Sequence, residues 1–144
     1  MRRLPRARTV RLSVGSVALA LLLELVPRSA AADAPPPALE ADISCKVEGT
    51  AAVCQVTARP SLLSHITYAR ADVVQAPPFL KVLIGSVDYS DSRDRQQRLK
   101  LAFVAKRKGS GDVIVKVQAM VCADNGSSCP GLARVVTGRI TIAP

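Results

Sequence analysis

Short apolar runs that alternate with polar residues follow one another along the chain from residue 42 onward, and Gly, Pro, Asn and Ser separate them. Side chains on a β-strand point alternately to the two faces of a sheet, so a period of two predicts strands rather than helices. The pattern predicts seven strands, at residues 42–48, 51–58, 66–74, 79–87, 98–106, 113–122 and 132–142.

The predicted strand at 113–122 has one clearly apolar face. Its odd-numbered positions are all apolar, whereas Lys116, Gln118 and Cys122 point the other way. Residues 106–112, KRKGSGD, are predicted to connect it to the preceding strand as a hairpin loop.

Seven short strands with turn signals at this spacing are typical of an antiparallel β-sandwich of the immunoglobulin-like kind. The chain has no Trp and only two Phe and two Tyr, so Val, Leu, Ile and Ala must fill the core. We therefore expect one all-β domain at residues 42–144, an immunoglobulin-like antiparallel sandwich of about seven short strands.

The first 32 residues have the composition of a secretory signal peptide. Several arginines precede a mostly apolar stretch at 14–26, and small residues at 29–32 suit cleavage before Asp33. A permanent transmembrane helix is the alternative, but the apolar run is short and Glu24 is costly at the centre of a bilayer. We expect export to the periplasm or beyond, with residues 33–41 as a Pro-rich linker.

Export removes most of the excess positive charge. The chain carries 20 basic and 11 acidic residues, a net +9, but residues 1–32 hold six Arg and one Glu, which leaves a net +4. Two interpretations of the remaining surplus stay open, a solvated face and a surface that binds anionic lipid or polysaccharide. Few aromatic residues are present to stack on bases, so nucleic acid is not an expected partner. The basic residues concerned are Arg93, Arg95, Arg98, Lys100, Lys106, Arg107 and Lys108.

Four cysteines in an exported chain predict two disulfides, and local turns favour pairing within hairpins. With Gly49 and Thr50 at the centre of a two-residue turn, Cys45 lies directly opposite Cys54 at a non-hydrogen-bonded position. Opposed residues are closest there, which suits a disulfide. We interpret Cys45 and Cys54 as a buried structural pair.

The second pair is predicted to differ. Asn125 and Gly126 favour a tight turn, which places Cys122 opposite Cys129. Counting outward, this is a hydrogen-bonded position, where opposed residues lie farther apart and a disulfide is more strained. Accessible, strained disulfides tend to be labile or catalytic. A redox-active pair and a second structural disulfide are the two hypotheses.

Residues 113–130, VIVKVQAMVCADNGSSCP, resemble the active-site region of the periplasmic N-terminal domain of DsbD-type thiol:disulfide interchange proteins. That domain is immunoglobulin-like, with two redox cysteines around a Cys-Ala-Asp-x-Gly-x-Cys segment. Here one extra residue separates the cysteines, and Pro130 and Gly131 replace the aromatic-Pro-Pro run of the family. The resemblance implies that Cys122 and Cys129 are the redox pair and that a thioredoxin-like or membrane redox protein is the partner.

The sequence therefore predicts an exported thiol-disulfide exchange module. A partner thiolate would attack the Cys122/Cys129 disulfide and give a mixed disulfide that the second cysteine resolves. Lys116, on the same strand face as Cys122, is a candidate for stabilising a thiolate there. The alternative is a non-catalytic binding or structural module with two inert disulfides.

Other chemistries lack the residues that they need. Eight and six residues separate the cysteines, which does not match the short ligand pairs of zinc sites, so neither a metal nor a cofactor is expected. The one histidine, His65, precedes a predicted strand and is interpreted as a loop or strand-edge residue rather than a catalytic base. No Gly-rich phosphate loop or paired carboxylate appears, which argues against a hydrolase.

Overall fold

The computed structural model describes residues 35–144, apart from the side chains of residues 91–94. The predicted signal peptide at 1–32 lies outside the described residues. The described strands are β1 (Leu39–Glu48), β2 (Ala51–Pro60), β3 (Ser64–Gln75), β4 (Leu80–Ile84), β5 (Ser86–Asp94), β6 (Gln97–Ala105), β7 (Gly109–Ala123) and β8 (Gly131–Ile142).

These strands form two antiparallel sheets of four strands. The first sheet has the order β1-β2-β6-β4 and the second β5-β3-β7-β8. Without β5, this is the order of a constant-type immunoglobulin sandwich, in which strands A, B, E and D face strands C, F and G. The predicted all-β immunoglobulin-like sandwich is confirmed, with β5 as an additional edge strand beside β3.

The strand predicted at 79–87 is wrong in its extent, because the chain changes sheets at Gly85. β4 pairs with β6 in the first sheet, whereas β5 pairs with β3 in the second. A Cβ atom at Gly85 would lie 2.8 Å from Cγ1 of Val82, so glycine allows an approach that another residue would obstruct. The apolar pattern does not predict β5 beyond residue 87, since its Ser and Asp residues are uncommon in strands.

Residues 106–108 cross between the two sheets and do not form the predicted hairpin, because β6 and β7 lie in different sheets. The backbone N–H of Lys106 donates to the carbonyl of Phe79 at 2.8 Å, and that of Ala105 to the carbonyl of Thr50 at 2.7 Å. These bonds fix the crossing at one end of the sandwich. A polar, Gly-containing segment between two strands predicts a short connection. The pattern does not show whether that connection is a hairpin within one sheet or a crossing between two sheets.

β1 begins at Leu39, three residues before the predicted strand and inside the predicted linker. Leu39 is only 1% exposed and pairs with Pro60 of β2. The preceding prolines favour an extended segment, but the Leu39 side chain belongs to the core. The sandwich therefore starts earlier than the Pro-rich composition indicates.

Mostly aliphatic side chains fill the space between the sheets, together with Phe79 and Phe103. On the other face of β7, Lys116 and Met120 are exposed and Gln118 is half-buried, so this outward face leads along the strand to the second cysteine pair. The inward face of β7 is buried, as predicted, at Val113, Val115, Val117, Ala119 and Val121.

Candidate functional site

Both predicted disulfides are present, Cys45–Cys54 and Cys122–Cys129. Cys45 and Cys54 are register partners within the β1–β2 ladder, and their Cα atoms are 4.0 Å apart, as in a non-hydrogen-bonded pair. Cys54 is completely buried and Cys45 is half-buried. This disulfide therefore lies largely within the core and joins β1 to β2.

Cys122 also lies opposite Cys129, just beyond the end of the β7–β8 ladder. The two cysteines occupy a non-hydrogen-bonded position, so the predicted pairing is right but the predicted hydrogen-bonded position is wrong. The pair is flanked by backbone hydrogen bonds from the N–H of Ala123 to the carbonyl of Ser128, at 2.9 Å, and from the N–H of Val121 to the carbonyl of Pro130, at 3.0 Å.

The reason for the different hydrogen bonding is the length of the loop. The N–H of Gly126 donates to the carbonyl of Ala123 at 2.9 Å, which places Asp124 and Asn125 at the centre of the turn. Gly126 follows with a φ of +74°, a left-handed conformation that favours glycine. A four-residue loop keeps the same residues opposite each other as a two-residue turn but exchanges the bonded and non-bonded positions.

The two cysteines of this pair differ in exposure. Cys122 is 8% exposed, whereas Cys129 is exposed on the loop. Oγ1 of Thr67 lies 3.8 Å from Sγ of Cys122. Thr67 is the extra residue of a β-bulge in β3, where the register shifts between Ile66 and Tyr68. A thiolate that approaches from solvent therefore reaches the sulfur of Cys129 more easily than that of Cys122.

A chain of polar side chains extends from the disulfide. His65 is the register partner of Cys122 on β3, so their side chains share one face of the sheet. Nδ1 of His65 lies 2.9 Å from Oδ1 of Asp124, and Arg95 donates to Oδ2 of Asp124 at 2.9 Å and to the carbonyl of Ser64 at 2.7 Å. The hydrogen bond from His65, and then that from Arg95, lowers the pKa of Asp124. An ionised carboxylate thus orients His65 beside the disulfide.

The sequence does not place His65, Thr67, Arg95 or Asp124 beside the second cysteine pair, and Arg95 was grouped there only with the other basic residues. His65 lies inside β3 and faces a cysteine, because β3 begins at Ser64 and pairs with β7. The alternation of residues predicts both strands but not that they are neighbours. In an immunoglobulin-like sandwich strands C and F are neighbours, and here these are β3 and β7. That adjacency is the signal that brings His65 to the cysteine pair.

The structure does not bring Lys116 to Cys122. The two residues are six positions apart on the uninterrupted strand β7, a distance of about 20 Å at the usual rise per residue. Lys116 instead pairs with Asp72 of β3 and Val135 of β8. A shared strand face was a correct prediction, but it does not place the ammonium group near the sulfur.

The seven basic residues that the sequence groups together do not form one surface. Arg95 belongs to the polar chain beside the disulfide. Arg98 and Lys100 are exposed on β6 in the first sheet, and residues 106–108 are exposed at the end of that strand. The side chain of Arg93 lies outside the described residues.

A groove of about 240 Å³ lies beside the loop that carries Cys129. Residues 35–37 form one side of it, and Leu63, Ser127 and Ser128 contribute to the other. Among the described side chains of residues 35–90 and 95–144, no three of His, Cys, Asp or Glu are grouped in a way that could hold a metal ion. The same residues contain no helix with the length and apolar composition to cross a membrane.

No family model and no curated protein matches the chain. Solved structures with a similar layout include the bacterial hydrophobin BslA, with a TM-score of 0.35 and 9% identity over 76% of this chain and 97% of that one. The PapD-like domain 7 of human CEP192 has a TM-score of 0.33 and 9% identity over 74% and 87%. A protein of unknown function from Porphyromonas gingivalis W83 has a TM-score of 0.32 and 13% identity over 72% of this chain, which spans about half (47%) of its length.

Proposed function

We propose that the protein is an exported thiol-disulfide exchange module whose redox pair is Cys122 and Cys129. The observation that carries this proposal is the asymmetry of the disulfide, with Cys129 exposed on a loop and Cys122 covered beside polar side chains. The resemblance of residues 113–130 to DsbD-type N-terminal domains supports the same pair. Cys45–Cys54, with Cys54 fully buried, is then the structural bond of a disulfide-stapled β-sandwich.

In this reaction a thiolate of a partner dithiol attacks Sγ of Cys129, the exposed sulfur. The new S–S bond forms as the Cys122–Cys129 bond breaks, and the electron pair of the broken bond leaves on Cys122 as a thiolate. The partner's second thiolate then attacks the partner's own sulfur in the mixed disulfide and releases Cys129. Two electrons pass to this chain, which becomes a dithiol, while the partner becomes a disulfide.

Thr67 and His65 are placed to stabilise the leaving thiolate of Cys122. The hydroxyl of Thr67 is close enough to Sγ to donate a weak hydrogen bond. The imidazole of His65, held by ionised Asp124, brings a positive charge beside the thiolate when it is protonated, which favours the charged sulfur. In this proposal His65 takes the thiolate-stabilising role that the shared strand face had suggested for Lys116.

The proposed partner is a thioredoxin-like or membrane redox protein that presents a cysteine on a projecting segment. The groove beside the Cys129 loop is positioned to receive residues that flank such a cysteine. Two disulfides fit an oxidising compartment, and we place the reaction in the periplasm or outside the cell.

Equilibration of the purified protein with a glutathione series, followed by alkylation and mass spectrometry of each cysteine, tests the proposal. We expect Cys122 and Cys129 to open at a potential at least about 60 mV higher than Cys45 and Cys54, a hundredfold difference in the equilibrium constant. If all four thiols become reactive together, both disulfides are structural and the protein is a non-catalytic module.

The rate at which glutathione opens Cys122–Cys129 tests the role of His65. We expect His65→Gln to slow the reaction by about tenfold, less than the full effect of a positioned acid because Thr67 remains. Lys116→Gln is the matched control and should leave the rate unchanged. Equal effects of the two variants would refute this role.

A further inference from the structure

The outer face of the first sheet carries an apolar patch that no other part of the described chain covers. The strand register places Val53 of β2, Ala102 of β6 and Ile84 of β4 side by side. Val53 is 43% exposed and Ile84 is 48% exposed. Ala51 and Val104 form the neighbouring row on the same face. We call these five side chains the outer patch.

Lysines border the outer patch on three strands. Lys46 of β1 pairs with Val53, and Lys81 of β4 pairs with Val104. Lys100 precedes Ala102 by two positions on β6 and therefore shares its face. All three lysines are exposed, and none forms an ion pair with another described residue.

Further basic residues lie where β6 ends and the chain crosses to the second sheet. Residues 106–108, Lys-Arg-Lys, follow β6 directly and are all exposed. Glu48, the partner of Ala51, is the one acidic residue in the two rows that contain the outer patch. The surface thus combines a small apolar centre with a predominantly cationic border.

We propose that the outer patch and its lysines bind the surface of a bilayer that contains anionic lipid. Val53 and Ile84 gain free energy by leaving water for the acyl boundary, while the lysine stems cover apolar surface and their ammonium groups reach the phosphates. Each lysine near such a surface contributes attraction to anionic headgroups. The proposal is independent of the exchange reaction.

Other occupants match only part of this surface. A polyanionic polysaccharide pairs with the lysines but offers no apolar region for Val53 and Ile84. A second copy of the chain that docks on the same face brings Lys46, Lys81 and Lys100 near their own counterparts, and like charges oppose that contact. An anionic bilayer satisfies both the apolar centre and the cationic border.

The redox pair lies on the other side of the sandwich. Cys122 belongs to the outward face of β7 in the second sheet, whereas the outer patch is on the outward face of the first sheet. Binding through the outer patch therefore leaves the Cys122–Cys129 disulfide on the side that faces away from the bilayer.

Tryptophan fluorescence locates the bound face, because the natural chain contains no Trp. We expect the emission of Val53→Trp in the full chain to shift to the blue with vesicles of phosphatidylglycerol and phosphatidylcholine, and to return in high salt. Ile84→Trp provides a second probe of the patch. Val135→Trp is the matched control, since Val135 is 66% exposed on the second sheet, and its emission should not shift.

Three results with the tryptophan probes overturn the proposal. These are equal shifts for Val53→Trp and Val135→Trp, which exclude binding by a particular face, no shift for Val53→Trp or Ile84→Trp, and a shift with soluble heparin that matches the vesicles. In the Val53→Trp background, Lys46→Gln, Lys81→Gln and Lys100→Gln should each weaken vesicle binding by about fivefold. Lys116→Gln, on the second sheet, should leave it unchanged, and an equal loss there also overturns the proposal.

Discussion

The Cys45–Cys54 and Cys122–Cys129 disulfides both join directly opposed residues near the turn of a hairpin, with Cα atoms 4.0 Å apart in each case. The first lies inside the β1–β2 ladder, with paired residues on both sides and Cys54 fully buried. The second lies past the last pair of the β7–β8 ladder, with Cys129 exposed. The hairpin register decides whether a disulfide can form, whereas burial decides whether an external thiolate can reach it.

The side chains that surround the two disulfides also differ. Gly138 of β8 lies against Cys45 and Ile43, and a Cβ atom at Gly138 would be 2.9 Å from Sγ of Cys45. Around the other pair lie the hydroxyl of Thr67 and the charged chain that starts at His65. One disulfide is packed against apolar and backbone atoms, whereas the other lies beside polar side chains.

The largest expected difference between the two disulfides is the stability lost when each is removed. The two disulfides close loops with sequence separations of 9 and 7, so their entropic contributions to stability are similar, about 2.5 kcal/mol for each. Cys45→Ala combined with Cys54→Ala also leaves a cavity in the core, so we expect a loss of about 4 kcal/mol in the free energy of unfolding, measured with urea. Cys122→Ala with Cys129→Ala should cost about 2 kcal/mol. Equal losses would show that the two sites are packed alike.

Alanine at two glycines of β8 provides a finer comparison. Gly138→Ala should lower the free energy of unfolding by about 1–3 kcal/mol, because its Cβ meets Sγ of Cys45 and the side chain of Ile43. Gly131→Ala should change it by less than about 1 kcal/mol, since the nearest atom, Sδ of Met120, is at an ordinary 3.5 Å. Thermal unfolding measures both. A larger cost at Gly131 would contradict the looser packing beside the second pair.

The smallest expected effect is the loss of stability in acid, and it arises from Asp124 among the polar side chains beside the second disulfide. The folded-state pKa of Asp124 is below its ordinary value of 3.8, so its carboxylate stabilises the fold above that pH, and the contribution is lost as the pH falls through the folded-state pKa. Asp124→Asn should therefore be less stable than the natural protein at neutral pH, with the difference shrinking in acid. Urea unfolding across this range measures it. A difference that persists in strong acid would mean that the carboxylate charge is not responsible.

Local patterns predicted much of the fold. The alternation along β7 identified its buried face, and the turn at Gly49 and Thr50 gave the partner of Cys45, because both depend on residues close in sequence. The second turn gave the right partner for Cys122 but the wrong hydrogen-bond position, since a four-residue loop and a two-residue turn share one register.

The sequence pattern predicted less about which distant strands and side chains meet. The change of sheet at Gly85 lies within a mostly apolar run, and a single glycine in such a run does not show that the chain leaves one sheet for the other. Arg95 and His65 meet at Asp124 although Arg95 is 30 positions after His65, because β3 lies between β7 and β5 and Arg95 directly follows β5. An arginine in a basic segment and a histidine before a strand carry no sign of this contact until the neighbours of each strand are known.

The two backbone hydrogen bonds that flank the Cys122–Cys129 pair have a consequence for the reduced protein. Neither bond involves sulfur, so we expect both to persist after the S–S bond is broken. The two thiols then remain face to face, and each presents the other with a high effective concentration, because folding has already met the entropic cost of bringing them together. If an oxidant such as a partner disulfide accepts the two electrons, the hairpin favours re-formation of the same Cys122–Cys129 bond.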